Sequence, residues 1–424
     1  MTADRDGPLV VERSTLDDGV TLVVQPPPSG AASFSATFLA PSGWGYDARG
    51  REGTALLVSE LTTAGAGRLD RAALARELDR TGATLSSDCH PEATELTLWG
   101  PAEHMDRLLP LLADAVLRPR FEAKELARLR RVLAERQMRE RTQPDRCAEK
   151  QLFRQLYPVG HPYRETGLGT PRSAARIRRE DLRRFHATHF VPEGSSLVVT
   201  SDVPIDRLER RANKIFRGWK SRIAPPRPVM REAVPPRGGI ERLLVPGGSQ
   251  VELRIGGPSI PRTDPSFASV TLANEVLGGR SLLSRLFQGL REERGLVYHT
   301  SSEVEAMRWG GYWTAQAGME VTKAEEVTKL LARELERMVE TPPPSEELDR
   351  IRESLIGSIH LELETTASAH ELAVDVAYHD LVPDFYRAWP ELLRSVTARQ
   401  VQAGAAGGID PTRAATVLAG PFAP

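Results

Sequence analysis

The same order of secondary-structure signals occurs twice along this chain of 424 residues, and that repetition limits the fold more than any other feature. In the first series, alternating and apolar runs predict strands at Val20–Gln25 and Phe34–Ala40, then helices at Thr54–Thr63 and Arg71–Thr81. Strands at Leu85–Cys89 and Ala93–Trp99 follow, then long helices from Ala102 and Phe121. The second series predicts strands at Glu241–Val245 and Val251–Gly256, helices at Ser266–Val276 and Leu282–Arg294, strands at Leu296–Val304 and Tyr312–Ala317, and helices from Thr322 and Ser345. Between them, Ser221–Gly239 carries five prolines and little periodicity, the composition of a linker. ELARLR (Glu125–Arg130) and ELDRIR (Glu347–Arg352) open the last long helix of each series. The expectation is a tandem duplication of an α+β domain, with residues 1–220 and 240–424 joined by the linker 221–239. Each half should form a largely antiparallel sheet covered by helices on one face.

A chain of this length exceeds one ordinary core, which agrees with two domains. Its net charge of −1 supplies no basic field for nucleic acid or an anionic membrane. Only six of the 56 basic residues are lysine, which reads as the codon usage of a GC-rich genome. The N-terminal segment has no cationic stretch followed by an apolar run, and no segment approaches the ~20 apolar residues of a membrane span. A cytoplasmic location is expected. Cys89 and Cys147 form no C-x-x-C and suit a reducing compartment as packing or surface residues.

Most catalytic signatures are absent. There is no G-x-G-x-x-G after a strand, no G-x-x-x-x-G-K-[ST] and no G-x-S-x-G. The pair Gly278-Gly279 lacks the rest of a phosphate-binding fingerprint and reads as a turn between helices. Of nine histidines, only His186 and His189 fall within one helical turn, in RRFHATHFVP, where the helix is ending. Helix-end hydrogen bonds are their expected use rather than a metal. In SRLFQGLREERGLVY (Ser284–Tyr298), Leu282, Leu283, Leu286, Phe287 and Leu290 recur at helical spacing, Gly295 ends the helix, and a strand follows. On spacing alone, Arg291 covers the apolar stripe and Tyr298 packs a sheet.

Taken with the duplication, the longer stretch GGRSLLSRLFQGLREERGLVY (Gly278–Tyr298) closely resembles the second-domain signature of the pitrilysin/insulinase family of zinc metallopeptidases, the inverzincins. STLDDGVTLVVQP (Ser14–Pro26), FEAKELARLRRVLAERQ (Phe121–Gln137), YPVGHPYRETGLGT (Tyr157–Thr170) and HFVPEGSSLVVTSDV (His189–Val203) resemble its first strand pair, long helix, following loop and closing strand. The resemblance implies two homologous domains forming half of a clamshell. Active members carry H-x-x-E-H on the first-domain helix, where two histidines bind zinc and a glutamate is the general base. In GTALLVSELTTAG (Gly53–Gly65) those positions fall on Leu56, Leu57, Val58, Ser59 and Glu60, and the third ligand falls near Arg136, with Glu135 adjacent. The resemblance therefore implies a degenerate zinc site and no metal or cofactor in this chain.

The family's second-domain pair is intact as Arg291 and Tyr298, whose counterparts bind the peptide main chain and stabilise the tetrahedral oxyanion. The implied function is that of a zinc-free subunit in a heterodimeric metallopeptidase. A homologous H-x-x-E-H partner would carry the zinc, and peptides or unfolded segments would be the substrate. The alternative is a non-catalytic scaffold or peptide-binding homodimer.

Overall fold

The computed structural model describes residues 10–219, 230–233 and 239–422, so most of the expected linker 221–239 lies outside the described residues. The first sheet contains β1 (Glu12–Thr15), β2 (Thr21–Gln25), β3 (Ser33–Ala40), β4 (Thr84–Cys89), β5 (Thr94–Pro101) and β6 (Ser196–Thr200), in the order β1-β2-β6-β3-β5-β4. The second contains β7 (Ile240–Leu244), β8 (Gln250–Ser259), β9 (Val297–Ala306), β10 (Gly311–Glu320) and β11 (Ala415–Gly420), in the order β9-β10-β8-β11-β7. Each sheet has one parallel pair, β2 with β6 and β7 with β11; all other neighbours are antiparallel. Read outward from that pair, β2-β6-β3-β5-β4 and β7-β11-β8-β10-β9 are the same sheet. The duplicated α+β architecture is thus present in both topology and strand direction.

The strands explain how helices are placed. In TLVVQ (β2) and SLVVT (β6) the apolar residues do not alternate with polar ones, so both faces of the sheet must be covered. One face sets Leu22, Val24, Phe38 and Leu197 against Leu57 and Leu61 of the Thr54–Thr62 helix, Leu108 of Met105–Leu117, and Leu182 of Arg179–His189. The opposite face, carrying Val23, Leu39 and Val198, lies under Ala373 and Val376 of the helix Thr366–Tyr378. In the second sheet, Ala415, Val417 and Ala419 of β11 lie under Ala148, Leu152, Phe153 and Leu156 of the helix Pro144–Leu156, spaced for a single helical face. Burying each large side chain of this kind contributes on the order of 1.5–3 kcal/mol.

The compact units therefore cut across the halves of the sequence. One comprises Met1–Gln137, Thr166–Val229 and Ile359–Ala388; the other comprises Met138–Glu165, Met230–Ser358 and Trp389–Pro424. Division at 220 and 240 follows the order of the repeats, whereas apolar burial assigns one helix from each half to the sheet of the other. Helices on a single face are accordingly only part of each unit's cover.

The echo between ELARLR and ELDRIR has a structural cause. Glu125 Oε2 accepts from Arg128 Nε at 2.8 Å and lies 3.9 Å from Nε of Arg71, the first residue of the helix Arg71–Thr81. At the equivalent place in the second unit, Glu347 accepts Nε and Nη2 of Arg285 at 2.8 and 2.7 Å. Both carboxylates tie the last long helix of the series to its second helix.

Under the helix Thr366–Tyr378, the fully buried His370 joins two strands. Its Nε2 is 2.7 Å from Thr37 Oγ1 and its Nδ1 is 2.8 Å from Thr200 Oγ1, so one ring nitrogen donates and the other accepts. Burial holds its pKa down to about 3. The folded state binds this imidazole neutral, whereas the unfolded chain protonates it below its ordinary pKa of about 6.5. Its contribution to stability is therefore complete at neutral pH and is lost as pH falls through the interval from about 6.5 to 3. Replacing His370 with glutamine removes this linkage. In chemical denaturation, the stability advantage of the wild type over His370→Gln should shrink by roughly 2–3 kcal/mol between pH 7 and pH 4.5. An advantage independent of pH would exclude a neutral buried histidine.

Candidate functional site

Arg291 and Tyr298 are brought together by a helix end and a strand irregularity. Residues Glu275–Gly279 and Phe287–Glu292 adopt the wide π-helical turn, separated by a 3₁₀ turn at Ser281–Leu283, so the single helix expected over 282–294 is interrupted. Just before it, a Cβ at Gly278 would stand 2.4 Å from the backbone nitrogen of Ser302, so only glycine permits this approach to β9. Leu286 and Leu290 are buried as expected, but Leu282 and Leu283 are exposed, because their turn does not continue the helical phase. Gly295, with φ of +60°, ends the helix; its N–H donates to the Arg291 carbonyl at 3.0 Å, and Leu296 N–H donates to the Leu290 carbonyl at 2.9 Å.

Tyr298 sits where the β9–β10 register shifts, between the pairs Val297–Met319 and His299–Gly318. A bulge turns two consecutive side chains to the same exposed side and re-aims the strand. Tyr298 is 48% exposed rather than packed on the sheet. Arg291 is also exposed. Its guanidinium stands 5.5 Å from the Phe287 ring, and Nη1 donates to the main-chain oxygen of Tyr298. The seven-residue spacing therefore corresponds to a physical contact: the arginine holds the backbone of the tyrosine. Tyr298 Oη donates to Glu320 Oε1 at 3.3 Å, and desolvation together with the Glu320 carboxylate raises the phenol pKa. The hydroxyl is kept as a donor.

Two neighbours that sequence reasoning passed over complete this surface. His299 Nε2 lies 3.2 Å from the buried Glu252, whose hydrogen bond raises the imidazole pKa. Gly318, opposite His299 on β10, leaves room for that ring: a Cβ would meet His299 Cε1 at 2.3 Å. A glycine inside a strand was the available signal.

In the other unit, Leu57, Val58 and Ser59 are buried, and Leu56 and Glu60 are half-buried one helical turn apart. Ser59 Oγ, fully buried, has no hydrogen-bond partner among the described residues. Arg136 faces this helix, and its Nη1 forms an ion pair with Glu60 Oε1, while Glu135 is exposed. A guanidinium thus meets the carboxylate at the last of these five positions. Among the described residues, no three His, Cys, Asp or Glu side chains converge as a metal site. His186 and His189 go to separate partners: His186 Nε2 bonds the Val116 carbonyl at 2.8 Å, and His189 lies against Tyr46 and Phe185. Burial lowers both pKa values to about 4. Cys89 and Cys147 are free thiols whose pKa values burial raises. No helix among the described residues is long and apolar enough to cross a membrane.

Comparison with known proteins identifies the family. A family model described as insulinase (peptidase family M16) matches residues 29–167, and one described as peptidase M16 inactive domain matches residues 176–355. The chain belongs to the M16 peptidase family. An uncharacterized zinc protease of Rickettsia bellii is 23% identical over 367 residues, covering 84% of this chain and 85% of its own. The non-peptidase homolog YmxG of Helicobacter pylori is 21% identical over 350 residues, covering 82% of this chain and 80% of its own. Among solved structures, a peptidase M16 inactive domain from Pseudomonas fluorescens superposes with a TM-score of 0.91 at 22% identity, covering 98% of each chain. A protease from Helicobacter pylori gives a TM-score of 0.90 at 19% identity, covering 97% of this chain and all of the other. These structures share the M16 fold of this chain.

The half-buried positions Leu56, Glu60 and Arg136 offer a direct test of whether this surface can be made to hold zinc. The triple variant Leu56→His, Glu60→His, Arg136→Glu should retain about one zinc per chain after dialysis, measured by elemental analysis, because it places two histidines at i and i+4 opposite one carboxylate. Wild-type chain treated in the same way should retain none. Stoichiometric zinc in the wild type would contradict the reading of these positions.

Proposed function

We propose that this chain is the zinc-free subunit of a heterodimeric M16 metallopeptidase, supplying Arg291 and Tyr298 to the zinc site of an H-x-x-E-H partner. The observation that carries this reading is the contrast between two sites. The motif positions of one unit hold leucine, serine and a glutamate–arginine ion pair, whereas Arg291 and Tyr298 of the other are joined to each other and exposed. An apolar stripe or sheet-packing role would bury Tyr298, and the bulge instead presents it outward.

In this reading the H-x-x-E-H residues of the partner would hold a zinc ion, which would supply the activated water when bound. Arg291 offers its remaining guanidinium donors to a main-chain carbonyl of the peptide. Tyr298, held as a protonated phenol, gives its hydrogen bond to the carbonyl oxygen as negative charge develops on it, leaving Glu320 to do so. The Arg291 hydrogen bond to the Tyr298 backbone fixes the direction of that donor before substrate arrives. Peptides and unfolded segments are the substrates, because an extended main chain can add to an open strand edge.

The name of the Helicobacter pylori relative, non-peptidase homolog, favours a second reading in which this chain is a scaffold or peptide-binding homodimer. The two readings separate in one experiment. A fluorogenic unstructured peptide is incubated with this chain, with an H-x-x-E-H homologue from the same genome, and with both. The heterodimer reading expects hydrolysis in the mixture only. It also expects Tyr298→Phe to lower turnover about 100- to 1000-fold, without altering assembly measured by gel filtration. Equal hydrolysis with and without this chain, or an assembled Tyr298→Phe complex of full activity, would favour the scaffold.

A further inference from the structure

Across the second sheet, His299 of β9, Gly318 of β10 and Glu252 of β8 stand in one row, since His299 and Glu252 both pair with Gly318. The imidazole reaches over the middle strand, and its Nε2 lies 3.2 Å from a carboxylate oxygen of Glu252. Adjacent strands are about 4.8 Å apart, so the ring has to lie on the middle strand to span them. Only glycine leaves that path open. A Cβ on residue 318 would stand 2.3 Å from His299 Cε1 and 2.7 Å from its Nδ1. Three residues on three strands are thus matched to one contact.

The two ends of this contact differ. Glu252 is buried, whereas the His299 side chain is 49% exposed. The hydrogen bond to Glu252 raises the imidazole pKa, against desolvation and the positive charge of Arg254 on β8; Asp145, on the helix Pro144–Leu156, adds to the rise. The protonated ring is thereby favoured. It commits the N–H on Nε2 to Glu252, and Nδ1 has no partner among the described residues. A tie between strands would need neither this exposure nor the bulge. The bulge sets His299 on the same exposed side as Tyr298, whose hydroxyl donates to Glu320, two residues along β10 from Gly318. Two strand residues span about 7 Å, so both donors address one short stretch of a bound main chain.

We infer that His299 is a second hydrogen-bond donor, through Nδ1–H, to the oxyanion that Tyr298 meets, with Glu252 as its positioning residue. The inference rests on the heterodimer reading, in which a peptide carbonyl is brought to this surface. As negative charge develops on that oxygen, the preorganised Nδ1–H gives it a hydrogen bond, and no proton changes hands. Glu252 decides which nitrogen faces outward by holding the other. The cationic donor is lost as pH rises through the His299 pKa, so its contribution is complete at lower pH and falls on the alkaline side.

Two measurements test this, the first on the full chain alone. The His299 ring is titrated by NMR with ring-labelled histidine, its signal identified by its loss in His299→Gln. The midpoint should stand above the ordinary value of about 6.5 and fall by about one unit in Glu252→Gln. The second uses the complex with an H-x-x-E-H homologue. There His299→Gln should lower kcat about 100-fold, with KM and assembly unchanged. It should also weaken binding of a phosphonamidate peptide, a mimic of the tetrahedral oxyanion, by a similar factor. Gly318→Ala should reproduce both losses by displacing the ring. Glu252→Gln should move the alkaline fall of kcat to lower pH, a shift that lost packing would not cause. A complex slowed by Tyr298→Phe but not by His299→Gln would overturn the inference and leave the heterodimer reading standing. A mixture that hydrolyses nothing would overturn both. A His299 midpoint unmoved by Glu252→Gln would overturn the role given to Glu252.

Discussion

Both central strands of the parallel pair in the first sheet are apolar on both faces, and the rest of the architecture follows from covering them. A half of this chain taken alone provides helices for one face of its sheet. Val23, Leu39 and Val198 would then expose a broad apolar surface, as would Ala415, Val417 and Ala419 in the second sheet. The helices Thr366–Tyr378 and Pro144–Leu156 answer this, each taken from the other half of the sequence. A repeat that begins as an independent α+β domain therefore becomes dependent on its duplicate. The buried polar contacts of His370 with Thr37 and Thr200 add direction to what would otherwise be a purely apolar contact.

Much of this was legible in the residues. Element order, the duplication and the helix end at Gly295 follow from periodicity and glycine placement, signals that act over a few residues. Exchange of helices was less legible, because periodicity shows that a helix has an apolar face but not which sheet receives it. A clue was present all the same: TLVVQ and SLVVT lack the alternation of a sheet with one solvated face. The interruption at 281–283 was harder still. Leu282 and Leu283 lie in a 3₁₀ turn and are exposed, although their spacing matches that of the buried Leu286 and Leu290.

The spacing of Arg291 and Tyr298 carried no mechanism until the bulge at Tyr298 was visible. A regular ladder would give consecutive side chains opposite faces; the shift between Val297 and His299 puts Tyr298 and His299 on the same exposed side. Spacing alone suggested burial, and a residue that looks buried in an alternating pattern is exposed because one extra residue has been inserted. Such irregularities concentrate beside functional surfaces, where presenting a side chain matters more than completing a ladder.

Electrostatics accounts for the pairing of Glu60 with Arg136. Glu60 is half-buried on a helix otherwise rich in leucine and valine, and an unpaired carboxylate there would be costly. Arg136 supplies the opposing charge from the chain itself, and its planar head commits one donor to Glu60. Arg71 and Arg128 extend positive charge along the same wall, braced from behind by Glu125. Glu347, the equivalent of Glu125 in the second unit, is instead satisfied by both donors of a buried Arg285. The equivalent carboxylate thus takes two donors of Arg285 in one unit and, in the other, accepts from Arg128 with Arg71 nearby.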